Sequence, residues 1–280
     1  MFPRTISTVR PWWTRVRPTV HYLMETEAHV YALAVSASTL LAMYPFLMVM
    51  LSLCRDVLHL SAVQQTISLA ISDMFAGEAG QFIARNLKPW MVPRFHWVSM
   101  VLLLFTANGV FEPLEVALNR AWGVETNRSY LKNQLISLGL IFACGTLALL
   151  SLWLTGINAD WIASASGGRA GVEVWLKLLV FKLAAVPVTI LALFLVYWLL
   201  PNRRVDPRRV APVAIVVGLL VELMKYVNLL IWPWLSYKLA NEYKVFQHSV
   251  TILIWSFVAA MIVLAGAHWT ARQDRPDPLA

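Results

Sequence analysis

Asn108, Glu112, Glu115 and Asn119 stand at steps of four, three and four in the stretch TANGVFEPLEVALNRAWG. In a helix that spacing puts all four on one stripe, while Val110, Leu114, Ala117, Leu118 and Ala121 cover other directions. Carboxylates between amides can pass a proton or line the path of a polar solute. At a helix end the same groups can instead serve only to hydrogen-bond neighbouring helices. The preceding run, WVSMVLLLF, is continuously apolar apart from one serine, so the stripe must turn away from lipid. A charge at mid-membrane costs roughly 2.5–3.5 kcal/mol on a lenient insertion scale, whereas each Leu, Phe or Val contributes only about 0.3–0.6 kcal/mol. This helix therefore needs its neighbours to sit stably. Gly109 and Pro113 suit a hinge or an unwound turn that frees backbone groups.

A second constellation is Glu222 with Lys225, three residues apart on one helical face, and Gly218 one turn earlier. Such a pair neutralises itself, or Lys225 meets Glu112 or Glu115 across the bundle. Three carboxylates against one lysine leave an excess that calls for protonation, water or a nearby Arg120. Pro45 and Pro187 mark further candidate hinges, because a proline inside a span removes a backbone donor. Arg203, Arg204, Arg208 and Arg209 crowd the short segment PNRRVDPRR and are candidate ligands for lipid headgroups. The histidines are scattered singly, and the two cysteines, Cys54 and Cys144, are far apart in sequence. Neither a metal-hydrolase cluster, a phosphate loop, a nucleophile elbow nor a dinucleotide fingerprint occurs. No metal, cofactor or enzymatic activity is expected.

The elements that must carry these residues follow from composition. The chain is 59% hydrophobic and 14% charged, far more apolar than soluble domains. Apolar runs of about 20 residues, enough to cross about 30 Å of hydrocarbon, predict six spans near Val30–Leu53, Trp97–Leu118, Leu135–Leu154, Leu178–Leu200, Val210–Trp234 and Val250–Trp269. None shows the alternation of a membrane β-strand. The fold class is thus all-α, a polytopic membrane protein with six transmembrane helices. No removable signal peptide is read at the N-terminus, so the first span is expected to remain in the membrane. With both termini inside, the inner segments hold thirteen Lys and Arg and the outer segments eight, which favours cytoplasmic termini. The net charge of +8 reads as membrane orientation and headgroup contact rather than nucleic-acid binding.

Residues 1–29 read as an amphipathic N-terminal segment, with Val16, Val20 and Leu23 on one side. Residues 30–271 form the transmembrane domain, and 272–280 a cytoplasmic tail. Between the first two spans, within 58–96, Leu60, Val63, Ile67, Ile71 and Met74 recur at helical steps, and Gln81–Lys88 follows a Gly-Glu-Ala-Gly break. This predicts an interfacial helical hairpin on the outer surface.

Three segments carry a resemblance: YPFLMVMLSL at the end of the first span, ANGVFEPLEVALNRAWGV, and LVYWLLPNRRVDPRRVAPVAIVVGLLVELMKY. Over about Ala28 to Ala271 the chain resembles the YihY/BrkB family of bacterial inner-membrane proteins. The resemblance implies a bacterial inner-membrane location, six helices and cytoplasmic termini. Members have been labelled virulence or serum-resistance factors and once a ribonuclease, a label that the missing metal ligands argue against. It also points to envelope-lipid traffic beside periplasmic lipid-transfer proteins. Two positions depart from the family pattern: Gly266-Ala267-His268 stands where Gly-Ala-Glu is expected, and Tyr243-Lys244 where Tyr-Gly is expected.

Two functions are therefore open. One is a transporter-like or lipid-handling protein whose polar crevice is lined by Asn108, Glu112, Glu115, Asn119, Glu222 and Lys225. The other is a non-transporting scaffold or partner subunit for periplasmic envelope proteins, its stripe packed shut and its outer hairpin the working surface. Membrane lipids are expected partners in the first; nucleic acid is a partner in neither.

Overall fold

A backbone crossing hydrocarbon must satisfy its own hydrogen bonds, which leaves long apolar runs only the helix or the closed barrel. A computed structural model describes residues 12–56, 97–124, 128–129, 131–147 and 186–274, and every regular element among them is helical. The elements are α1 (Trp12–Glu25), α2 (Ala28–Asp56), α3 (Trp97–Trp122), α4 (Leu131–Leu147), α5 (Val186–Leu199), α6 (Pro207–Tyr243) and α7 (Gln247–Asp274). A 3-10 turn, Lys244–Phe246, joins α6 to α7. Each predicted span overlaps one of α2 to α7, in order, the third and fourth also taking in residues outside those described. Ala28–Val49, Pro207–Asn228 and Gln247–Arg272 are each long and apolar enough to cross a membrane. The expected outer hairpin, 58–96, lies outside the described residues.

Helix α2 packs against α3 and α7, α6 packs along α7, and α1 lies over α7 and α2. The seams are made of small residues: Ala28 and Ala32 of α2, Ala117 and Ala121 of α3, and Ala260 and Ala267 of α7 are all buried in one cluster. Lipid tails are as apolar as leucine, so close approach and interhelical hydrogen bonds must hold such a bundle. Ser36 supplies one, its hydroxyl donating across α2 and α7 to the Leu253 carbonyl at 2.6 Å. Tyr197, fully buried on α5, donates to the Val263 carbonyl of α7 at 2.7 Å. A Cβ at Gly266 would collide with that hydroxyl and with Val217. On the opposite side of α6, Leu219, Leu223, Leu230 and Tyr226 form an exposed apolar face at helical spacing, suited to lipid.

Several local expectations change. Gly109 and Pro113 do not interrupt α3, which is one continuous α-helix through both. A Cβ on Gly109 would stand 2.9 Å from the Ser38 hydroxyl, so the glycine brings α3 close to α2 rather than unwinding it. Pro45 likewise lies inside an unbroken α2 and is buried, while Pro187 is exposed near the start of the described part of α5. Helix α6 does not stop at Trp234 but runs 37 residues to Tyr243 with Pro233 inside it. Hydropathy reports only the part in hydrocarbon, and the helix continues through the more polar residues beyond. In α1, Tyr22 and Leu23 pack on the core, whereas Val20 is exposed. Positive φ at Glu27, 57°, turns the chain from α1 directly into α2.

Candidate functional site

Helix α3 ends where its sequence says it should. Gly123 adopts φ 66°, its N–H bonds the Arg120 carbonyl at 3.2 Å, and the Val124 N–H bonds the Asn119 carbonyl at 2.8 Å. This is a Schellman end, which needs glycine at the left-handed position. It fixes the register of the residues just before it. Asn119, 4% exposed, accepts at its side-chain oxygen from the Asn202 backbone N–H at 2.8 Å. Its amide nitrogen donates to Glu115 Oε1 at 3.4 Å. Trp122 lies under the Arg203 guanidinium, 5.9 Å from ring centroid to Cζ.

The other half of this junction is the turn from α5 to α6. Asp206 caps α6, its carboxylate accepting from the Arg208 N–H at 3.0 Å, and Pro207 opens the helix, as a missing N–H allows at that position. Arg208 and Arg209 occupy the first turn, where the helix dipole disfavours cations by about 0.3–1 kcal/mol each. Intrinsic helix stability therefore does not explain them. Arg128 reaches the turn from the α3–α4 connection, donating to the carbonyls of Leu199, Leu200 and Pro201. Burial pulls its pKa below the ordinary arginine value, and the negative charge of Glu115 works against that shift. The LNRAWGV and LPNRRV segments are thus two sides of one contact.

Of the predicted stripe, Glu115 and Asn119 are buried together, and Glu115 Oε2 is a buried oxygen with no hydrogen-bond partner among the described residues. Glu112 is exposed instead. On α3 the packed arc runs from Ala117 round through Leu114, Leu118, Trp122 and Glu115 to Asn119. At about 100° per residue, Glu112 falls only about 20° beyond Asn119, on the side of exposed Val116 and Arg120. That small rotation decides which carboxylate is enclosed. Asn108 lies on the same helix, and its side chain falls outside the described residues. Arg120, the expected counter-charge, donates instead to the Tyr31 hydroxyl at 3.3 Å.

Glu222 and Lys225 form the internal pair, 2.9 Å apart, and Thr189 of α5 donates to the same Glu222 oxygen at 3.3 Å. Gly218, one turn before, admits Ile190: a Cβ there would be 2.6 Å from its Cγ1. The two polar clusters are bound to different neighbours, one to the α5–α6 turn and one to the body of α5. Arg203, Arg204, Arg208 and Arg209 are all exposed at the same end of the bundle. Sequence reasoning missed Arg128, Asn202 and Thr189. The Asn of LPNRRV sits in a family-specific segment, but nothing local marks Arg128 or Thr189.

No group of three or more His, Cys, Asp or Glu that could hold a metal occurs among the described residues. No solved structure matches this chain. A UPF0761 membrane protein of Chromohalobacter salexigens is 25% identical over 96% of this chain and 67% of its own length. One of Pseudomonas aeruginosa is 26% identical over 88% of this chain and 59% of its own. A third, of Pseudoalteromonas atlantica, is 22% identical, covering 83% of this chain and 76% of that protein. The chain thus spans about three-fifths to three-quarters of these relatives' lengths. The family model described as virulence factor BrkB matches residues 19–278, a range that takes in both halves of the α3 junction, and the chain is a membrane protein belonging to the BrkB family.

Proposed function

We propose that this protein moves or handles envelope lipids in the bacterial inner membrane, with both termini cytoplasmic and without catalysing a reaction. The observation that carries the reading is Glu115. It is 4% exposed on α3, bonded through one oxygen to Asn119, while the other oxygen has no hydrogen-bond partner among the described residues. Enclosed ionisable groups in a membrane protein are costly to keep, and they mark substrate or proton pathways by default. The Glu222–Lys225 pair beside Thr189 adds a second polar patch within a span, and the four exposed arginines suit the cytoplasmic headgroup layer.

The full chain reconstituted in phosphatidylethanolamine–phosphatidylglycerol vesicles, with fluorescent analogues of both lipids, tests this. Glu115→Gln is expected to cut the rate of lipid movement at least tenfold, with Glu112→Gln less severe because that side chain is exposed. Equal rates in wild type, both variants and empty vesicles would sink the reading. The scaffold alternative draws on the enclosure of Asn119, whose amide is bonded at both ends. Under it, Glu115→Gln would leave the cellular phenotype intact while changes in 58–96 would not, and periplasmic envelope proteins would be the partners.

A further inference from the structure

A serine or threonine inside a helix has a ready acceptor in the carbonyl four residues back. Thr39, Thr251 and Thr270 use it here. Ser137 of α4 does not: the residue is 2% exposed, and its buried Oγ has no hydrogen-bond partner among the described residues. Asn133 Oδ1, one turn earlier, and Gln134 Oε1 beside it are in the same state. Exposed Leu131, Leu135 and Phe142 mark the outward side of α4. At about 100° per residue, Asn133 and Ser137 fall about 140–180° away from that side, toward the bundle.

Depth relates this row to Glu115. Glu115 stands seven residues before the end of α3, and Ser137 six residues after the start of α4, rises of about 10 and 9 Å from the connection between them. Both helices border the α5–α6 turn, α3 through Asn119 and Trp122 and α4 across a groove of about 710 Å³. Ile136 and Leu140 line that groove, three and seven residues after Asn133 and so on its face of α4. Arg128 lines it too and feels the negative charge of Glu115.

Buried polar atoms of this kind call for an occupant that both donates and accepts, and for room to hold it. The Glu115 and amide oxygens take donors, and the Ser137 hydroxyl does either. Water supplies both roles and an acyl chain neither. A metal cation would meet a single carboxylate of this group, with the charge of Arg128 against it.

We propose that the groove leads into a water-filled inlet, walled by Asn133 and Ser137, that reaches Glu115 from the arginine-bearing end of the bundle. A proton taken up at Glu115 Oε2 then comes from that phase, each water passing one on and receiving another behind it, so that no charge crosses acyl chains. The inference deepens, and rests on, the reading of Glu115 as part of a pathway. Its test records water contact rather than lipid movement, so the two fail separately.

The full chain carrying Cys54→Ser and Cys144→Ser, with one cysteine introduced at a time, is labelled in sealed inside-out and right-side-out membrane vesicles by a membrane-impermeant methanethiosulfonate. Only a thiol in water forms the reactive thiolate readily, so Ser137→Cys and Asn133→Cys should react at least about tenfold faster than Leu135→Cys on the outward side of the same helix. Glu115→Cys should react as well, and all three from the arginine-bearing side alone. A Cβ at Gly139, which also lines the groove, meets nothing within 4 Å; Gly139→Trp should therefore slow the Ser137→Cys reaction while leaving thermal unfolding unchanged. Ser137→Cys reacting no faster than Leu135→Cys, equal labelling from both sides, or no effect of Gly139→Trp would overturn the inlet. Ser137→Cys reacting while Glu115→Cys stays inert would overturn its reach to Glu115. Labelling that begins only on detergent extraction would show acyl chains in the groove and overturn it too.

Discussion

Replacing Lys244 with glycine should stabilise the protein, and the structure sets how much. Lys244 closes α6 with φ 46° and ψ −111°, its N–H bonded to the Ala240 carbonyl. Those angles lie near the first central position of a type II′ turn, about +60° and −120°, where glycine is the usual residue because it lacks a Cβ. A side chain in so sparsely allowed a region costs on the order of 1–3 kcal/mol. Glycine loses more backbone freedom on folding, roughly 0.5–1 kcal/mol. The backbone bond to Ala240 survives the change, so the net gain is about 1 kcal/mol, equivalent to about 2–4 °C in a chain of this size. Thermal unfolding followed by circular dichroism, in one detergent at fixed lipid content, measures it. Lys244→Ala is the control, since it removes the ammonium but keeps the Cβ; it should change stability by less than about 0.5 kcal/mol. A Lys244→Gly protein no more stable than wild type would refute the strain argument. An equal gain from Lys244→Ala would also refute it, by assigning the effect to the charge.

Two further stability effects follow from the α5–α7 seam and from α1. Tyr197→Phe should cost about 1 kcal/mol for the lost bond to Val263. Gly266→Ala should cost about 1–3 kcal/mol by overpacking against Val217 and the Tyr197 hydroxyl; the double variant should lose less than the sum, because Phe removes one of the colliding atoms. His268 stacks on Tyr22 with centroids 4.1 Å apart, and its Nδ1 lies 3.3 Å from the Thr19 hydroxyl. His268→Ala should therefore speed amide hydrogen exchange across α1 and leave exchange in α6 unaltered.

The spans were legible because an apolar run is a one-dimensional signal: Trp97–Leu118 became α3 and Val250–Trp269 became the middle of α7. Their ends were not, since α6 and α7 continue through residues that hydropathy reads as loop. The enclosure of Glu115 and Asn119 was legible in the spacing, but the exclusion of Glu112 was not, because neighbours beyond α3 set where the packed arc ends. Gly109 and Gly218 were noticed as glycines, yet only the contacts to Ser38 and Ile190 show that they make room for another helix. Asn119 meets Asn202 across 83 residues of sequence, a pairing that no local pattern encodes. The two departures from the family pattern also acquire physical content, His268 as the clasp on α1 and Lys244 as a side chain at a glycine's angles.

Helix α6 has a geometric consequence of its own. Thirty-seven residues at 1.5 Å each make about 55 Å of rigid rod, against about 30 Å of acyl chain. Even at a steep 40° inclination the rod rises about 42 Å, and its arginine-bearing first turn accounts for only about 5 Å of the surplus. The remainder lies at the far end and bears exposed Trp234, Tyr237 and Tyr243, with Lys238 beside the Trp234 ring, residue types that settle at the headgroup level. A three-residue turn ties its tip back to α7, so the aromatic end of the helix is moored to its neighbour rather than left to fray.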